Sequence, residues 1–364
     1  MTDANEPVLR VPPSRIWTDW DKPKRIVARI PNWVGDVVMA TPALRALKKG
    51  LPDAELWVEG RAHLNTILED LPYVDHFLPD PGKGFANTRE RIRRLKEHEF
   101  DMAVMFPDSP RSAFAPFMAR IPMRLGYSRD IMRHTMLTHR LHPPGEDRRR
   151  VPVSMIDRYL VLPRALGLPD DGEQLDVPIS DESRQMVETQ LIAAGVDLSK
   201  PLCTVIPGAA FGASKLWPVE HFAATLDLLR DEDGLQAIIP TGPGEQAIAH
   251  RIADAMKGPC FPLTDPVFSL GQVAALVERS RLVIANDTGP RQFAVALGIP
   301  VVVPIGPTDH RTTHHHLERQ RVLIEPVHCR PCCLKVCPTD HRCMTRIKPE
   351  RALAAAREMM EKFS

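Results

Sequence analysis

Apolar runs alternate with amphipathic stretches along the first half of the chain. Residues 24–31, 54–59 and 100–106 are apolar runs of strand length, while residues 36–49 and 88–98 carry apolar positions at helical spacing. Strands and helices that alternate in this way are typical of a parallel sheet covered by helices. We therefore predict an α/β domain here.

The same alternation returns in the second half of the chain. Strands are predicted at residues 202–206, 235–240, 281–285 and 300–305, with helices between them. The polar, proline-bearing interval 167–178 separates the two series, so the linker between domains is placed there. Two similar α/β halves predict a cleft between two domains.

The chain is accordingly divided into four parts. We expect a weakly ordered leader at 1–23, an N-terminal domain at 24–172, a C-terminal domain at 173–347 and a C-terminal helix within 348–364.

Two loops of the second half have the design of phosphate-binding junctions. After the strand that ends near Ala285, the small polar residues Asn286, Asp287, Thr288 and Gly289 lead into a new apolar helical run. Such a junction presents unpaired backbone N–H groups and the positive end of a helix dipole, which favour a phosphate.

The second loop follows the strand at 202–206. It carries Gly208, Gly212, Ser214 and Lys215 before a helix that opens near Pro218. Glycines let the backbone approach a ligand closely, and a lysine supplies a mobile positive charge for a diphosphate. Two such loops in one half predict a nucleotide site.

Composition narrows the function classes. The chain has 364 residues, 43% hydrophobic content and a formal net charge of +1, which suits two globular domains and gives no global case for nucleic-acid binding. No apolar stretch approaches the roughly 20 residues that span a bilayer, and no signal peptide is visible. A cytoplasmic location is therefore expected.

The absence of two sequence motifs argues against two classes of enzyme. Neither half contains G-x-G-x-x-G or G-x-x-x-x-G-K-[ST] between a strand and a helix, which argues against a dinucleotide oxidoreductase and a P-loop NTPase. A cluster of cations along the helix at 88–98 fits a solvated helix face better than a membrane contact, which stays an alternative. Its members are Arg89, Arg91, Arg93, Arg94 and Lys96.

Three ordered motifs resemble one family. Residues 32–45 read NWVGDVVMATPALR, residues 207–218 fit P-G-x-x-x-G-x-x-K-x-W-P, and residues 286–289 fit N-D-[ST]-G. Together they resemble glycosyltransferase family 9, the lipopolysaccharide heptosyltransferases, and especially the ADP-heptose heptosyltransferase II type.

The resemblance implies a GT-B fold. In that fold two Rossmann-like domains face each other across a cleft, with the donor nucleotide on the C-terminal domain and the acceptor on the N-terminal one. It also implies that the C-terminal helix, here within 350–362, packs back on the N-terminal domain.

The resemblance assigns the catalytic base to Asp36. From the residues alone, an aspartate before a helical run is better explained as its N-cap, and the resemblance reverses that preference. Lys215 is expected to offset charge on the departing diphosphate, although a surface lysine is the default interpretation without the glycines. Thr288 and Gly289 would add hydroxyl and backbone donors.

Three further donor-side residues have open roles. Asp287 would accept from backbone N–H groups or a sugar hydroxyl, or cap a helix. Glu245 lies where the family often has an acidic residue near the nucleoside, or it is an acidic residue of a first helical turn. Gln292 replaces a histidine common in the family, so a charge is missing there, which the neighbouring Arg291 could supply.

The acceptor side is expected to use arginines. A lipid A core is rich in phosphate and carboxylate groups, and the planar guanidinium can bind either with two hydrogen bonds. Any one of these arginines alone would be explained as a solvated loop residue. The candidates are Arg61, Arg124, Arg129 and Arg133.

A cysteine cluster follows the last strand. Cys329, Cys332, Cys337 and Cys343 have the spacing C-x2-C-x4-C-x5-C, which allows a tetrahedral zinc site. Reduced or disulfide-linked structural cysteines are the favoured alternative, and iron–sulfur ligation is a third. The histidine run at 314–316 is interpreted as an exposed polar loop.

The resemblance, together with the two predicted phosphate-binding loops, implies one expected function. It is inverting transfer of heptose from ADP-L-glycero-D-manno-heptose to the lipid A–Kdo inner core at the inner membrane surface, without a cofactor for the transfer itself. Transfer of another nucleotide sugar and a non-catalytic nucleotide-sugar-binding role are the alternatives. A metal-sensing role for the cysteine cluster is a third.

Overall fold

The protein, here a computed structural model, has two compact units. The structure describes residues 16–142, 152–313 and 315–363. One unit extends to Pro178 and includes Arg311–Thr313, and the other comprises Ile179–His310 with the rest of the chain. The division after Pro178 falls a few residues beyond the expected boundary at 172/173.

The first unit is built on a parallel sheet of six strands. Their order across the sheet is β3-β2-β1-β4-β5-β6, and every neighbouring pair is parallel. The strands are β1 (Arg25–Arg29), β2 (Glu55–Gly60), β3 (His76–Pro79), β4 (Met102–Met105), β5 (Met123–Tyr127) and β6 (His139–Leu141). The helices are α1 (Val34–Gly50), α2 (Phe85–Glu97), α3 (Pro110–Met118), α4 (Ile131–Met136) and α5 (Met155–Ala165).

The second unit repeats this plan. Its strand order is β12-β11-β10-β7-β8-β9, again parallel throughout. The strands are β7 (Leu202–Ile206), β8 (Gln236–Pro240), β9 (Cys260–Leu263), β10 (Leu282–Ala285), β11 (Val301–Pro304) and β12 (Gln320–Leu323). The helices are α6 (Asp181–Ala193), α7 (Val219–Asp233), α8 (Gln246–Ala255), α9 (Leu270–Glu278), α10 (Arg291–Leu297), α11 (Arg342–Thr345) and α12 (Pro349–Lys362).

Burial explains why the central strands are continuous apolar runs. All residues of β4, β7, β10 and β11 are buried, as expected where helices cover both faces of a parallel sheet. In each sheet the strand order reverses between two central strands, β1 and β4 in the first and β7 and β10 in the second. Ligands of such sheets bind beyond the carboxyl ends of the strands at this reversal.

The reversal points coincide with the predicted motifs. In the second sheet, the loops after β7 and β10 are the two glycine-bearing junctions. In the first sheet, the loop after β1 leads to Asp36 in the first turn of α1.

The C-terminal helix packs within the second unit. It contacts α7, β11 and β12, and the packing on the N-terminal domain that the resemblance implies stays a prediction. The apolar face of α12 explains the contacts within the second unit, since Leu353, Ala356 and Met360 belong to the hydrophobic core cluster of that unit.

The leader is only partly described. Residues 1–15 lie outside the described part of the chain. Within the remainder, the Trp17 N–H donates to the carbonyl of Ala165 at 2.8 Å, and the Trp20 indole donates to the carbonyl of Trp17 at 2.9 Å. Trp17 therefore attaches the chain to the end of α5. Across the described ranges, no helix has the length and apolar character needed to cross a membrane.

Candidate functional site

Asn286 joins the two loops at the reversal point of the second sheet. Its side-chain oxygen accepts from the backbone N–H of Trp217 at 3.0 Å, and its amide donates to the carbonyl of Pro207 at 2.6 Å. Asn286 is completely buried. These bonds hold the loop after β7 against the loop after β10, which brings Lys215 close to Asp287.

Lys215 and Asp287 form a close ion pair. The Lys215 ammonium lies 2.6 Å from Asp287 Oδ2 and donates to the Asp287 carbonyl at 3.0 Å. Thr308 Oγ1 donates to the same carboxylate oxygen at 2.7 Å, and Arg291 Nη2 lies 3.2 Å from Oδ1. The group of one carboxylate and two cations carries a net positive charge.

The cations determine the titration of Asp287. Burial alone would raise the pKa of this carboxyl, but Arg291 and Lys215 together with the hydrogen bonds lower the pKa to about 2. Asp287 is therefore ionised across the physiological pH range.

The residues at the start of α10 point into the unit rather than toward a ligand. Arg291 is completely buried and donates to Gln320 Oε1 at 2.8 Å, so it does not supply the charge of the missing histidine. Gln292 is also buried, and its Oε1 lies 3.1 Å from His315 Nε2.

His315 is buried, in contrast to the prediction. The histidine run was expected to be exposed, but His315 is buried and lies against Gln292. A histidine is thus present beside Gln292, supplied by another segment. The only sequence signal was the run itself, which does not show which of its members faces inward.

Glu245 and Gly208 are in direct contact. A Cβ atom at position 208 would lie 1.7 Å from Glu245 Oε1, so any other residue there would displace the Glu245 carboxylate. The other carboxylate oxygen accepts from the Gly242 N–H at 3.1 Å. Glu245 precedes α8 as its N-cap residue and lies in the loop at the carboxyl end of β8, next to the loop after β7.

Ser214 and Gly212 contact the cysteine-bearing segment. The Ser214 hydroxyl donates to the Leu334 carbonyl, and its N–H donates to the Lys335 carbonyl at 3.0 Å. Gly212 has a φ of +153°, and a Cβ there would lie 2.4 Å from the Lys335 oxygen. The hydroxyl of Ser214, predicted to bind the donor, is therefore engaged in supporting the loop.

Thr288 and Gly289 lie in a tight turn before α10. The Thr288 N–H donates to the Asn286 carbonyl at 2.7 Å, and the Gly289 carbonyl accepts from Gln292 N–H at 3.0 Å. α10 has seven residues, or about two turns, so its helix dipole is small. Lys215 is therefore the main positive group at this edge.

Asp36 occupies the corresponding position in the first unit. It lies in the first turn of α1, whose N-cap is Trp33 without a side-chain cap bond, so the N-cap interpretation of Asp36 is wrong. The hydroxyl of Tyr159 in α5 donates to Asp36 Oδ1 at 3.3 Å. Burial, and then the Asp36 charge, raise the pKa of Tyr159 well above its usual range, so its proton is retained.

Tyr159 is a residue that sequence reasoning missed. It is one of several buried positions on α5, and nothing in the sequence distinguishes its hydroxyl from a core aromatic ring. Only the packing of α5 on α1 brings it to Asp36.

Arg133 is not available to an acceptor. It has no exposed surface, and its guanidinium donates to the backbone carbonyls of Tyr127, Ser109 and Pro107 and to the Ser112 hydroxyl. Burial lowers the pKa of Arg133 to about 10. This prediction is corrected, because the arginine ties the loops after β4 and β5 together.

The other three arginines differ in accessibility. Arg124 is half-buried and donates to the Met136 carbonyl at 2.6 Å. Arg129 is exposed and lies 3.2 Å from Asp108 Oδ2, and Arg61 is exposed at the end of β2. Arg61 and Arg129 thus remain candidates for acceptor contacts.

The sequence of residues 88–342 matches glycosyltransferase family 9 (heptosyltransferase). The match covers more than half of the chain. This chain belongs to glycosyltransferase family 9.

Two relatives of this family 9 glycosyltransferase are named heptosyltransferase 2. Lipopolysaccharide heptosyltransferase 2 of Salmonella typhimurium is 30% identical over 305 residues, which cover 80% of this chain and 86% of the relative. Lipooligosaccharide heptosyltransferase 2 of Haemophilus influenzae is 26% identical over 357 residues, covering 91% and 98%.

Solved structures confirm the fold class. The structure of E. coli ADP-heptose lps heptosyltransferase II superposes with a TM-score of 0.74 at 24% identity, covering 93% of this chain and 99% of that one. A glycosyltransferase family 9 structure from Veillonella parvula gives a TM-score of 0.79 at 22% identity, covering 93% and 97%. The GT-B prediction is therefore confirmed.

The cysteines of this glycosyltransferase are free thiols. Burial raises the pKa of Cys343, and Cys329, Cys337 and Cys332 nearby raise it further. In the part of the chain that is described, no three His, Cys, Asp or Glu side chains are arranged to hold a metal ion. The four cysteines are thus not assembled as the predicted zinc site, and zinc binding stays a prediction for metal analysis.

Proposed function

We propose that this glycosyltransferase transfers heptose from ADP-L-glycero-D-manno-heptose to the lipid A–Kdo inner core of lipopolysaccharide, with inversion at the anomeric carbon. The observation that carries the proposal is the Lys215–Asp287 pair at the reversal point of a sheet, in a chain of family 9. The heptosyltransferase 2 relatives support the choice of sugar and acceptor.

The donor diphosphate would bind beside Lys215. Asp287, which accepts a hydrogen bond from Thr308, holds the ammonium in place, so the ammonium does not need to be organised when the donor arrives. As the bond between the sugar and the diphosphate breaks, negative charge builds up on the leaving oxygens, and a fixed cation stabilises that charge. Glu245 would accept from hydroxyl groups of the nucleoside.

Asp36 would act as the base on the acceptor. Inverting transfer is a single displacement, so one carboxylate must take the proton of the attacking hydroxyl. The hydrogen bond from Tyr159 stabilises the ionised carboxylate, which is the form that a base requires. Arg61 and Arg129 would contact acceptor phosphate or carboxylate groups.

The proposal assigns the phosphate charge to Lys215, so it requires no metal ion for transfer. It also places the protein in the cytoplasm, at the inner membrane surface, because the proposed acceptor is a lipid.

The test is a transfer assay with purified protein. ADP-heptose and an inner-core acceptor are incubated with and without a chelator, and ADP release is compared with acceptor mass by mass spectrometry. We expect one heptose gained per ADP released, with the same rate in the chelator, and a new linkage of inverted anomeric configuration by NMR.

A non-catalytic binding role is favoured by one observation, Gln292 in place of a histidine. ADP binding without transfer from any of several nucleotide sugars would support that role. Transfer of a different sugar would keep the mechanism and change the substrate.

A further inference from the structure

An open apolar cavity lies between three helices of the first unit. It has a volume of about 780 Å³ and is bounded by α2, α3 and α4, a size in the range of ligand-binding pockets. Its lining is mainly apolar, with Phe85, Ile92, Phe114, Met118, Met132 and Met136. None of these residues belongs to the donor or catalytic groups described above.

Large apolar side chains of the cavity lining are exposed. Phe85 is 80% exposed, Met132 60% and Met118 43%. Ile131, 85% exposed, and Phe117 are the chain neighbours of Met132 and Met118 and are exposed as well. Isolated exposed apolar residues are ordinary, but a contiguous group at the mouth of an apolar cavity indicates a contact surface.

Cations without acidic partners surround the same mouth. Lys83, Arg89 and Arg111 are exposed. Arg111 donates to the Gly82 carbonyl at 2.6 Å, and the Arg89 guanidinium lies 5.9 Å from the centre of the Phe85 ring. Among the described residues, none of the three forms an ion pair with a carboxylate.

Other cations of α2 behave differently. Arg91 is buried against Glu59, and Arg93 and Arg94 both pair with Glu90. Of the four arginines of α2, Arg89 alone has no carboxylate partner among the described residues. The cations predicted to form one solvated face are therefore divided into paired and unpaired groups.

We propose that this surface docks on an anionic lipid bilayer. Phe85, Ile131 and Met132 would enter the acyl region, while Lys83, Arg89 and Arg111 would meet lipid phosphates. Apolar side chains flanked by unpaired cations match the two layers of an anionic membrane surface. A protein partner with an acidic, apolar face is the competing occupant and an outcome of the test.

The inference concerns the membrane contact and holds whichever sugar is transferred. It deepens the proposed location at the inner membrane, and vesicle binding can be measured without any transfer reaction. Failure of the transfer assay and failure of vesicle binding are therefore separate results.

The experiment is sedimentation of the full chain with two kinds of vesicle. One is pure phosphatidylcholine, and the other contains about one third phosphatidylglycerol. We expect binding to the anionic vesicles that weakens with salt. The double variant Phe85→Ser, Ile131→Ser should bind about tenfold or more weakly. The double variant Arg89→Gln, Arg111→Gln should bind the anionic vesicles about fivefold more weakly for each cation removed. It should also lose the preference for anionic lipid.

Two matched controls separate the surface from general effects. Ile192→Ser removes an apolar residue of the second unit that is 60% exposed, and Arg93→Gln removes a paired cation of α2. Both should bind as the wild type does. Thermal unfolding and transfer to a deacylated acceptor should be unchanged in all four variants.

Equal binding of the Phe85 and Ile131 variant and the wild type to anionic vesicles would overturn the proposal. Absence of wild-type binding to the anionic vesicles would also overturn it. If, in that case, the same variant abolished self-association in sedimentation velocity, the surface would contact a second copy of the chain instead of a membrane.

Discussion

The contact between Tyr159 and Asp36 leads to the first prediction at the residue scale. Asp36→Asn removes the base and should reduce kcat roughly a thousandfold, while the Kd for ADP changes by no more than a few fold. Tyr159→Phe should reduce kcat about tenfold and move the acid limb of the pH–rate profile to higher pH, because the carboxylate loses a donor. Steady-state kinetics across pH measures both effects.

The pH–rate profile shows whether the Tyr159 hydroxyl acts on Asp36 or only fills space in the core. Tyr127→Phe is a suitable control, because Tyr127 is also buried and its hydroxyl donates to the Arg158 carbonyl. Its acid limb should not move. An unshifted limb in Tyr159→Phe would refute the assignment of its hydroxyl to Asp36.

Lys215 is expected to contribute to donor affinity through its charge. Lys215→Met keeps the length of the side chain and removes the ammonium, so the Kd for ADP should rise about tenfold or more. Calorimetric titration with ADP measures it. Lys335→Met changes an exposed lysine near the same loop and should leave the Kd within twofold, as a control for local charge.

Asp287 predicts how stability depends on pH. Its pKa in the folded protein is about 2, below the ordinary 3.8, so its contribution is full above pH ~4 and is lost as pH falls toward 2. The difference corresponds to about 2 kcal/mol of unfolding free energy. Urea unfolding at several pH values should show this slope in the wild type.

The variant Asp287→Asn should lose that slope. It should also be less stable at neutral pH by about 3 kcal/mol, because Lys215 and buried Arg291 lose their counter-ion. An identical pH slope in the variant would show that another carboxyl is responsible.

Arg133 shows that the local sequence does not specify whether an arginine is exposed. The sequence places Arg124, within the strand β5, close to Arg129 and Arg133, which follow that strand, and all three suit a phosphate. The structure separates them, because the guanidinium of Arg133 is enclosed by backbone carbonyls of other loops. Whether an arginine faces solvent depends on those loops, which no local pattern specifies.

At the element scale, most central strands could be predicted and the four edge strands could not. Strands β7, β10 and β11 are fully buried apolar runs and were predicted nearly to the residue. The edge strands β3, β6, β9 and β12 have partly exposed positions, so their sequences lack such runs. The prediction also missed β5, which contains arginine and glycine.

The cysteine-bearing segment supports the loop of Lys215. Gly212→Ala would place a Cβ against the Lys335 carbonyl and push the two segments apart. We expect the Kd for ADP to rise about tenfold with the fold retained, since only the loop moves. Titration with ADP and a thermal melt measure the two quantities.

Gly195→Ala is the matched control for backbone strain. Gly195 also has a positive φ, +79°, but no atom lies within 4 Å of its added Cβ, and it is remote in sequence from the donor loops. It should lose a little stability and no ADP affinity. Equal ADP affinity in the Gly212 variant and the wild type would contradict a supporting role of the segment.

At the scale of the whole molecule, each unit has its own sheet and core. The second unit includes α12, whose buried Leu353, Met359 and Met360 pack within it. Burial of such side chains stabilises by about 2 kcal/mol each, which together approaches the stability of an ordinary domain. The helix is therefore part of the second unit's fold and no mere extension of it.

This leads to a prediction on fragments. A fragment of residues 179–364 should unfold cooperatively and bind ADP with a Kd within a few fold of the full chain, because both donor loops lie in this unit. A fragment of residues 179–347 should fail to fold, since the core of α7 and β11 would be uncovered. Circular dichroism melts and ADP titration compare the two.

A point variant separates loss of the helix from simple shortening. Within 179–364, Met360→Asp should destabilise about as strongly as the truncation, because it places an unpaired charge against the core. Arg351→Ala, at an exposed position of α12, should change the melting temperature little. If 179–347 melted at the same temperature as 179–364, the helix would be dispensable to this unit, and its packing on the N-terminal domain would again be the better explanation.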